Sequence, residues 1–261
     1  MEQSMRIIFI RHGDPDYEKD SLTEKGWREA DLLSRRMIRE TVGGFYVSPL
    51  GRAKDTASLT LMKTGREAET LDWLQEFPTC IDINGREELL QIFPDTRKDG
   101  DTYQIRIPWD MMPSGWVDQP EYCDPEDWVR TPVAEAGPLE KEFERVSTGF
   151  DELLARYGYV RSGRGYHTEK GSEVTICLFC HFGVICAMLS HLWNISPFVL
   201  WHGLVLAPTS VTEVFTEERE EGVVQFRATK AGDISPLYVA DEPPAFAARF
   251  CETFDNKEQR H

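Results

Sequence analysis

The sequence predicts an α/β fold: a three-layer α/β/α sandwich with a mostly parallel central sheet, helices on both faces and an inserted cap. Three observations predict it. Two apolar runs, Ile7 to Ile10 and Val174 to Cys180, are β-branched or aromatic and short enough to be strands buried on both faces. Strand-like and helix-like patterns alternate along the chain. Both runs stop abruptly at polar groups, Arg11-His12-Gly13 and His181-Phe182-Gly183. In open parallel sheets ligands sit beyond the carboxyl ends of the strands, so a site is expected there.

The first strand is Arg6-Ile7-Ile8-Phe9-Ile10, and Gly13 lets the backbone turn sharply or approach a ligand closely. A polar loop runs from Asp14 to Ser21. A helix is expected near Thr23, which can cap it, with Glu24 in the first turn; Ser21 with Glu24 also fits the capping-box spacing. Trp27, Ala30, Leu33 and Met37 give it one apolar face, and Gly43-Gly44 stops it. Phe45-Tyr46-Val47 is a second strand, and Ser48-Pro49 is expected to open a helix, with serine as cap and proline at the first helical position. Arg52 falls in that first turn, where a guanidinium joins free helix amides in attracting an anion. A third strand is expected around Glu67 to Leu71, with Glu76 soon after.

From Pro78 to Gly137 the alternation breaks down. This stretch is rich in Pro and Asp, carries Trp109, Trp116, Tyr122 and Trp128, and is too long for a structureless loop. A single domain over 1–261 with a cap at about 78–137 is expected, its aromatics serving packing, recognition or both. Leu139 to Tyr157 is a helix with Phe143, Val146, Phe150 and Leu153 on one side. After the strand ending at Cys180, a helix is expected over Val184 to Trp193. Strands follow at Val211 to Phe215 and Val223 to Thr229, as a hairpin across Glu217 to Glu221, with a terminal helix over 244–254.

The formal net charge of −16 argues against nucleic acid or an anionic membrane as partner, because both need a basic face. An anion site in this molecule must be a local cluster of arginines. No apolar run reaches membrane-spanning length, and Met1-Glu2-Gln3-Ser4 lacks a signal-peptide plan, so a cytoplasmic location and reduced cysteines are expected. Oligomeric state is not readable from the sequence.

Arg11, His12, Arg52 and His181 all fall just after predicted strands or in the first turn of a helix. Two guanidiniums offer planar, bidentate donors to phosphate oxygens. A neutral imidazole is a competent nucleophile towards phosphorus, and cationic neighbours depress its pKa. A second histidine can donate to the equatorial oxygens, and a carboxyl group can protonate the leaving alkoxide and then activate water.

These residues resemble the histidine phosphatase superfamily, which includes the cofactor-dependent phosphoglycerate mutases. Arg11-His12-Gly13 is similar to its RHG signature, and Leu22-Thr23-Glu24-Lys25-Gly26 with Glu29-Ala30 resembles its LT..G..QA helix start. Ser48-Pro49 with Arg52-Ala53 and Thr56-Ala57 resembles SP..RA..TA, and His181-Phe182-Gly183 resembles the second-histidine motif. The resemblance implies a phosphoglycerate mutase-like fold, His12 as nucleophile, and Arg11, Arg52 and His181 as phosphoryl ligands. It implies no metal and no cofactor, and a small phosphorylated substrate. Glu76 occupies the place of the family's acid, with Asp72 and Glu87 as alternatives beside the insertion. The loop Asp14-Pro15-Asp16-Tyr17-Glu18 lacks the mutases' asparagine, and no basic segment matches the one that grips a second phosphate. A metal-independent phosphomonoester hydrolase is therefore expected ahead of mutase-type phosphotransfer.

Three other readings carry less. Cys177-Leu178-Phe179-Cys180-His181 contains haem-attachment and thiol-redox spacings, but inside a predicted buried strand. His181, His191 and His202 lack a compact metal-ligand spacing. A catalytically dead relative would be expected to have lost His12, Arg52 or His181.

Overall fold

The computed structural model describes residues 4–78, 80–93 and 96–245. The chain divides into two compact units: Met1–Glu76, Glu152–Ile185 and Val205–His261 form the first, and Phe77–Asp151 and Cys186–Leu204 the second.

The first unit is built on an eight-stranded sheet. Its strands are β1 (Arg6–Arg11), β2 (Gly44–Val47), β3 (Glu69–Thr70), β4 (Val160–Ser162), β5 (Gly165–His167), β6 (Thr175–Cys180), β7 (Val211–Glu220) and β8 (Val223–Asp233). Their spatial order is β3-β2-β6-β1-β7-β8-β5-β4. The pairs β3-β2, β2-β6 and β6-β1 are parallel, as expected, and the other four are antiparallel, so the sheet as a whole is mixed. Ile8, Ile10, Cys177 and Phe179 on one face pack with Leu33 and Met37 of helix α1 (Glu24–Met37) and with Ala53 and Ala57 of helix α2 (Gly51–Thr64). Ile7, Phe9, Ile176 and Leu178, on the opposite face by strand alternation, are equally buried, so the sheet is covered on both sides.

Several elements differ from their expected form. Thr23 does cap α1, accepting from Gly26 N–H. The buried stripe of α1, however, runs through Gly26, Glu29, Ala30, Leu33 and Met37, and Trp27 lies one position off it, 37% exposed. Helix α2 starts at Gly51 with Leu50 at the cap position, so Ser48 does not cap it. The third strand shrinks to two residues. The β7–β8 hairpin is longer than its apolar residues indicated and turns at Glu221-Gly222, where Gly222 takes φ +74°. Most of the helix expected over 244–254 lies outside the described residues.

The second unit contains the stretch 78–137 and more. Its described elements include short helices and 3-10 turns, among them Glu87–Ile92, Pro108–Asp110, Asp127–Arg130 and Pro197–Gly203. Its aromatics do pack as a core: the Trp201 ring lies 5.0 Å from Phe77, 5.9 Å from Trp109 and 5.2 Å from Phe198. Phe198 in turn sits edge-on to Tyr122 and Trp128. Phe198 and Trp201 come from Cys186–Leu204, far along the chain from the residues they pack against.

Candidate active site

Strand register assembles the site. Arg11 of β1 pairs with Cys180 of β6, and Phe179 of β6 pairs with Val47 of β2. The residue following each of these parallel strands, His12, His181 and Ser48, therefore emerges at the same sheet end. Two further backbone bonds hold them there: His12 N–H donates to Cys180 O at 2.9 Å, and Ser48 N–H to Phe179 O at 2.9 Å. The two histidine rings stand 5.0 Å apart between centroids.

His12 is 1% exposed, and its Nδ1 lies 2.7 Å from Gly13 O. A carbonyl only accepts, so Nδ1 carries the proton and Nε2 keeps its lone pair. Burial, then the Arg11 charge, hold the His12 pKa well below the ordinary histidine range; Arg52 adds to this, and the Gly13 bond opposes it. For His181 burial again dominates, followed by His12, Arg52 and Arg11. Both rings are thus neutral at physiological pH.

The turn after His12 is pinned from three sides. Gly13 N–H donates to Thr56 Oγ1 on α2, at 2.9 Å. Asp14 N–H donates to Glu29 Oε2 on α1, at 2.9 Å, and Thr23 Oγ1–H donates to Asp14 Oδ2 at 2.6 Å. Gly13 and Gly26 permit the close approach: a Cβ at Gly26 would stand 2.3 Å from Asp14 O, and one at Gly13 2.9 Å from Gly26 O.

Arg11 is buried, donates from Nη1 to Leu206 O at 2.6 Å, and lies 5.9 Å from the Phe182 ring centroid. Arg52, at the second position of α2, donates from Nη1 to Asp20 Oδ1 at 2.6 Å, while its Nε is buried without a hydrogen-bond partner among the described residues. The other oxygen of Asp20 takes Gly51 N–H, also at 2.6 Å. Asp20 therefore orients the guanidinium and satisfies an open amide at the start of α2.

Glu76 is brought to the same region: its Oε1 accepts from Val184 N–H at 3.2 Å, in the first turn of helix α4 (Phe182–Trp193), with helix α3 (Leu139–Ala155) preceding it in the chain. Asp72 opens a 3-10 turn in the first unit, and Glu87 opens a helix in the second. His191 is bonded to Asp151 and His202 is stacked on Trp116, both within the second unit. Among the described residues, no group of three or more His, Cys, Asp or Glu is placed to hold a metal ion. Cys177 and Cys180 are buried free thiols whose pKa values burial raises.

Sequence reasoning missed Asp20, Glu29 and Thr56 as supports of the site, and it misassigned Ser48. The Ser48 hydroxyl lies 2.7 Å from His181 Nε2 instead of capping a helix. Only the SP..RA..TA and LT..G..QA patterns pointed at three of these residues, and nothing local pointed at Asp20.

Residues 7–109 match the sequence model of the histidine phosphatase superfamily (branch 1), which bears out the resemblance carried by the motifs in that stretch. No curated protein matches the chain in sequence. Solved structures share the fold. A mycobacterial glucosyl-3-phosphoglycerate phosphatase is 17% identical with a TM-score of 0.54, over 87% of this chain and 98% of that one. Phosphoserine phosphatase from Entamoeba histolytica is 16% identical with a TM-score of 0.53, over 89% and 99%. A putative alpha-ribazole-5'-P phosphatase from Escherichia coli is 16% identical with a TM-score of 0.51, over 89% and 98%.

Proposed function

We propose that this protein is a phosphomonoester hydrolase that acts on a small phosphorylated metabolite through a phosphohistidine at His12, without a metal ion. The observation that carries the reading is the fixed tautomer of His12. Nδ1–H is spent on Gly13 O, so Nε2 holds an available lone pair in a buried setting beside two guanidiniums. The fold-sharing proteins named above are described as phosphatases, which supports a hydrolase over a mutase.

In this reading Arg11, Arg52 and His181 hold the phosphoryl oxygens. His12 Nε2 attacks phosphorus, the P–O bond to the leaving group breaks, and the departing alkoxide takes a proton from the Glu76 carboxyl group. Water then gives its proton to the Glu76 carboxylate as its oxygen attacks phosphorus. The N–P bond breaks, and inorganic phosphate leaves with His12 restored. Hydrolysis of the phosphoenzyme, not its return to a second hydroxyl, separates this from phosphoglycerate mutase-type transfer.

The test is phosphate release from a panel of phosphomonoesters with EDTA present, beside His12→Ala. Release by the parent protein and none by the variant supports the reading. Interconversion of phosphoglycerates with a bisphosphate primer and no release would replace it with the mutase. Absence of both activities would overturn it.

A further inference from the structure

We propose that Ser48 is a positioning residue that selects the tautomer of His181, donating its hydroxyl proton to Nε2 so that the ring presents Nδ1–H. This rests on the reading above for its use in the reaction but not for its geometry.

A neutral imidazole has one N–H, and which nitrogen carries it decides what the ring can do. The Nε2···Ser48 Oγ contact at 2.7 Å is compatible with either direction of donation. The surroundings remove the ambiguity. Both residues are completely buried, so no solvent can satisfy what the pair leaves unpaired. Ser48 Oγ already accepts from Leu50 N–H at 3.2 Å. If His181 Nε2–H also donated to Oγ, the hydroxyl would accept twice and its own proton would have no acceptor among the described residues. Leaving such a group unpaired in the interior is costly. The reverse direction pairs the serine and Nε2 completely: Leu50 N–H donates to Oγ, Oγ–H donates to Nε2, and the ring proton sits on Nδ1, where a bound phosphoryl oxygen is its acceptor.

That nitrogen is buried and makes no hydrogen bond among the described residues. Its ring stands beside His12, at 5.0 Å between centroids. An Nδ1–H there can donate to an oxygen of a phosphoryl group held at His12. A bare Nδ1 lone pair would repel the same oxygen. The two histidines are thereby set to opposite tasks by opposite partners. The Gly13 carbonyl takes the proton of His12 Nδ1 and leaves Nε2 nucleophilic; the Ser48 hydroxyl fills His181 Nε2 and leaves Nδ1 a donor.

The experiment is long-range proton–nitrogen NMR of the 15N-labelled full chain, with His181 assigned by comparison with His181→Gln. The expected result in the parent protein is a pyrrole-type Nδ1 and a pyridine-type Nε2. Ser48→Ala should move population to the Nε2–H form, and Ser48→Thr, which keeps a hydroxyl, should restore the parent pattern. In phosphate release, Ser48→Ala should lower kcat on the order of 10²-fold, the scale of losing one transition-state donor, with Ser48→Thr within a few-fold of the parent. An Nε2–H tautomer in the parent protein would overturn the inference, whatever the variants do. An Nδ1–H tautomer unchanged in Ser48→Ala would overturn the role of Ser48. If the parent pattern is as expected but no phosphoester is hydrolysed, the tautomer assignment stands and the phosphatase reading falls.

Discussion

Glu29→Gln separates the charge of a buried carboxylate from its shape. Glu29 is fully buried on α1 and accepts from two backbone donors, Asp14 N–H at Oε2 and Ala245 N–H at Oε1. Among the described residues no cation is paired with it. Burial carries its pKa from 4.5 up to about 7; the nearby Asp14 adds to the rise, while the two N–H donors and Lys25 oppose it. A carboxyl group whose folded pKa is raised binds its proton more tightly in the folded state. Its contribution is fully present below the unfolded value of 4.5 and is lost as pH rises through about 7. At about 1.4 kcal/mol per tenfold in proton affinity, the whole change is about 3.5 kcal/mol, of which about 2.5 falls between pH 5 and pH 8. Glutamine does not titrate. Urea unfolding of both proteins at pH 5, 6, 7 and 8 should therefore show the parent losing about 2.5 kcal/mol relative to the variant over that range. The variant carries a constant penalty, because its single oxygen cannot serve both donors, and that penalty cancels in the pH dependence. Stability curves that stay parallel from pH 5 to pH 8 would refute the reasoning.

Three further outcomes are expected. Asp20→Asn removes the charge that orients Arg52; kcat/KM for phosphate release should fall about tenfold while stability changes by no more than about 1 kcal/mol, and an unchanged kcat/KM would deny Asp20 that role. Because burial and Arg11 keep His12 neutral well below the ordinary histidine range, kcat at saturating substrate should stay level as pH falls from about 7.5 to about 6. A decline centred near pH 6.5 would contradict that. Gly26→Ala places a Cβ 2.3 Å from a backbone oxygen of Asp14, so the urea midpoint should report a loss of at least about 2 kcal/mol. A loss under about 0.5 kcal/mol would mean that the two segments can part freely.

The part of this molecule that was legible in sequence is the part where local pattern and tertiary role coincide. Ile7 to Ile10 and Ile176 to Phe179 read as strands buried on both faces because they are, and the polar groups that end them stand at the sheet end for that reason. Ser48-Pro49 has the local form of a helix start, but an imidazole 2.7 Å away took the hydroxyl. Trp27 fits helical spacing, yet a shift of one position turned it outward while glycine took the crowded place at 26. Asp20 reaches Arg52 across 31 intervening residues, and no periodicity encodes such a meeting. The second unit resisted reading because it is discontinuous. Its core joins Phe77, Trp109 and Tyr122 to Phe198 and Trp201, so neither stretch alone shows a complete apolar pattern.

The register that sets His12, His181 and Ser48 side by side is a ladder of main-chain hydrogen bonds among the strands at the centre of the sheet. Groups held in this way have no private hinge. They cannot drift apart unless the strands themselves separate, and central strands are the last structure to open. On slow heating, loss of the reaction should then coincide with the cooperative melting of the whole unit and not precede it. Thermal inactivation would become a direct gauge of folding. Adaptation to a new leaving group would be confined to segments outside the ladder, because any change within it would be felt first as lost stability.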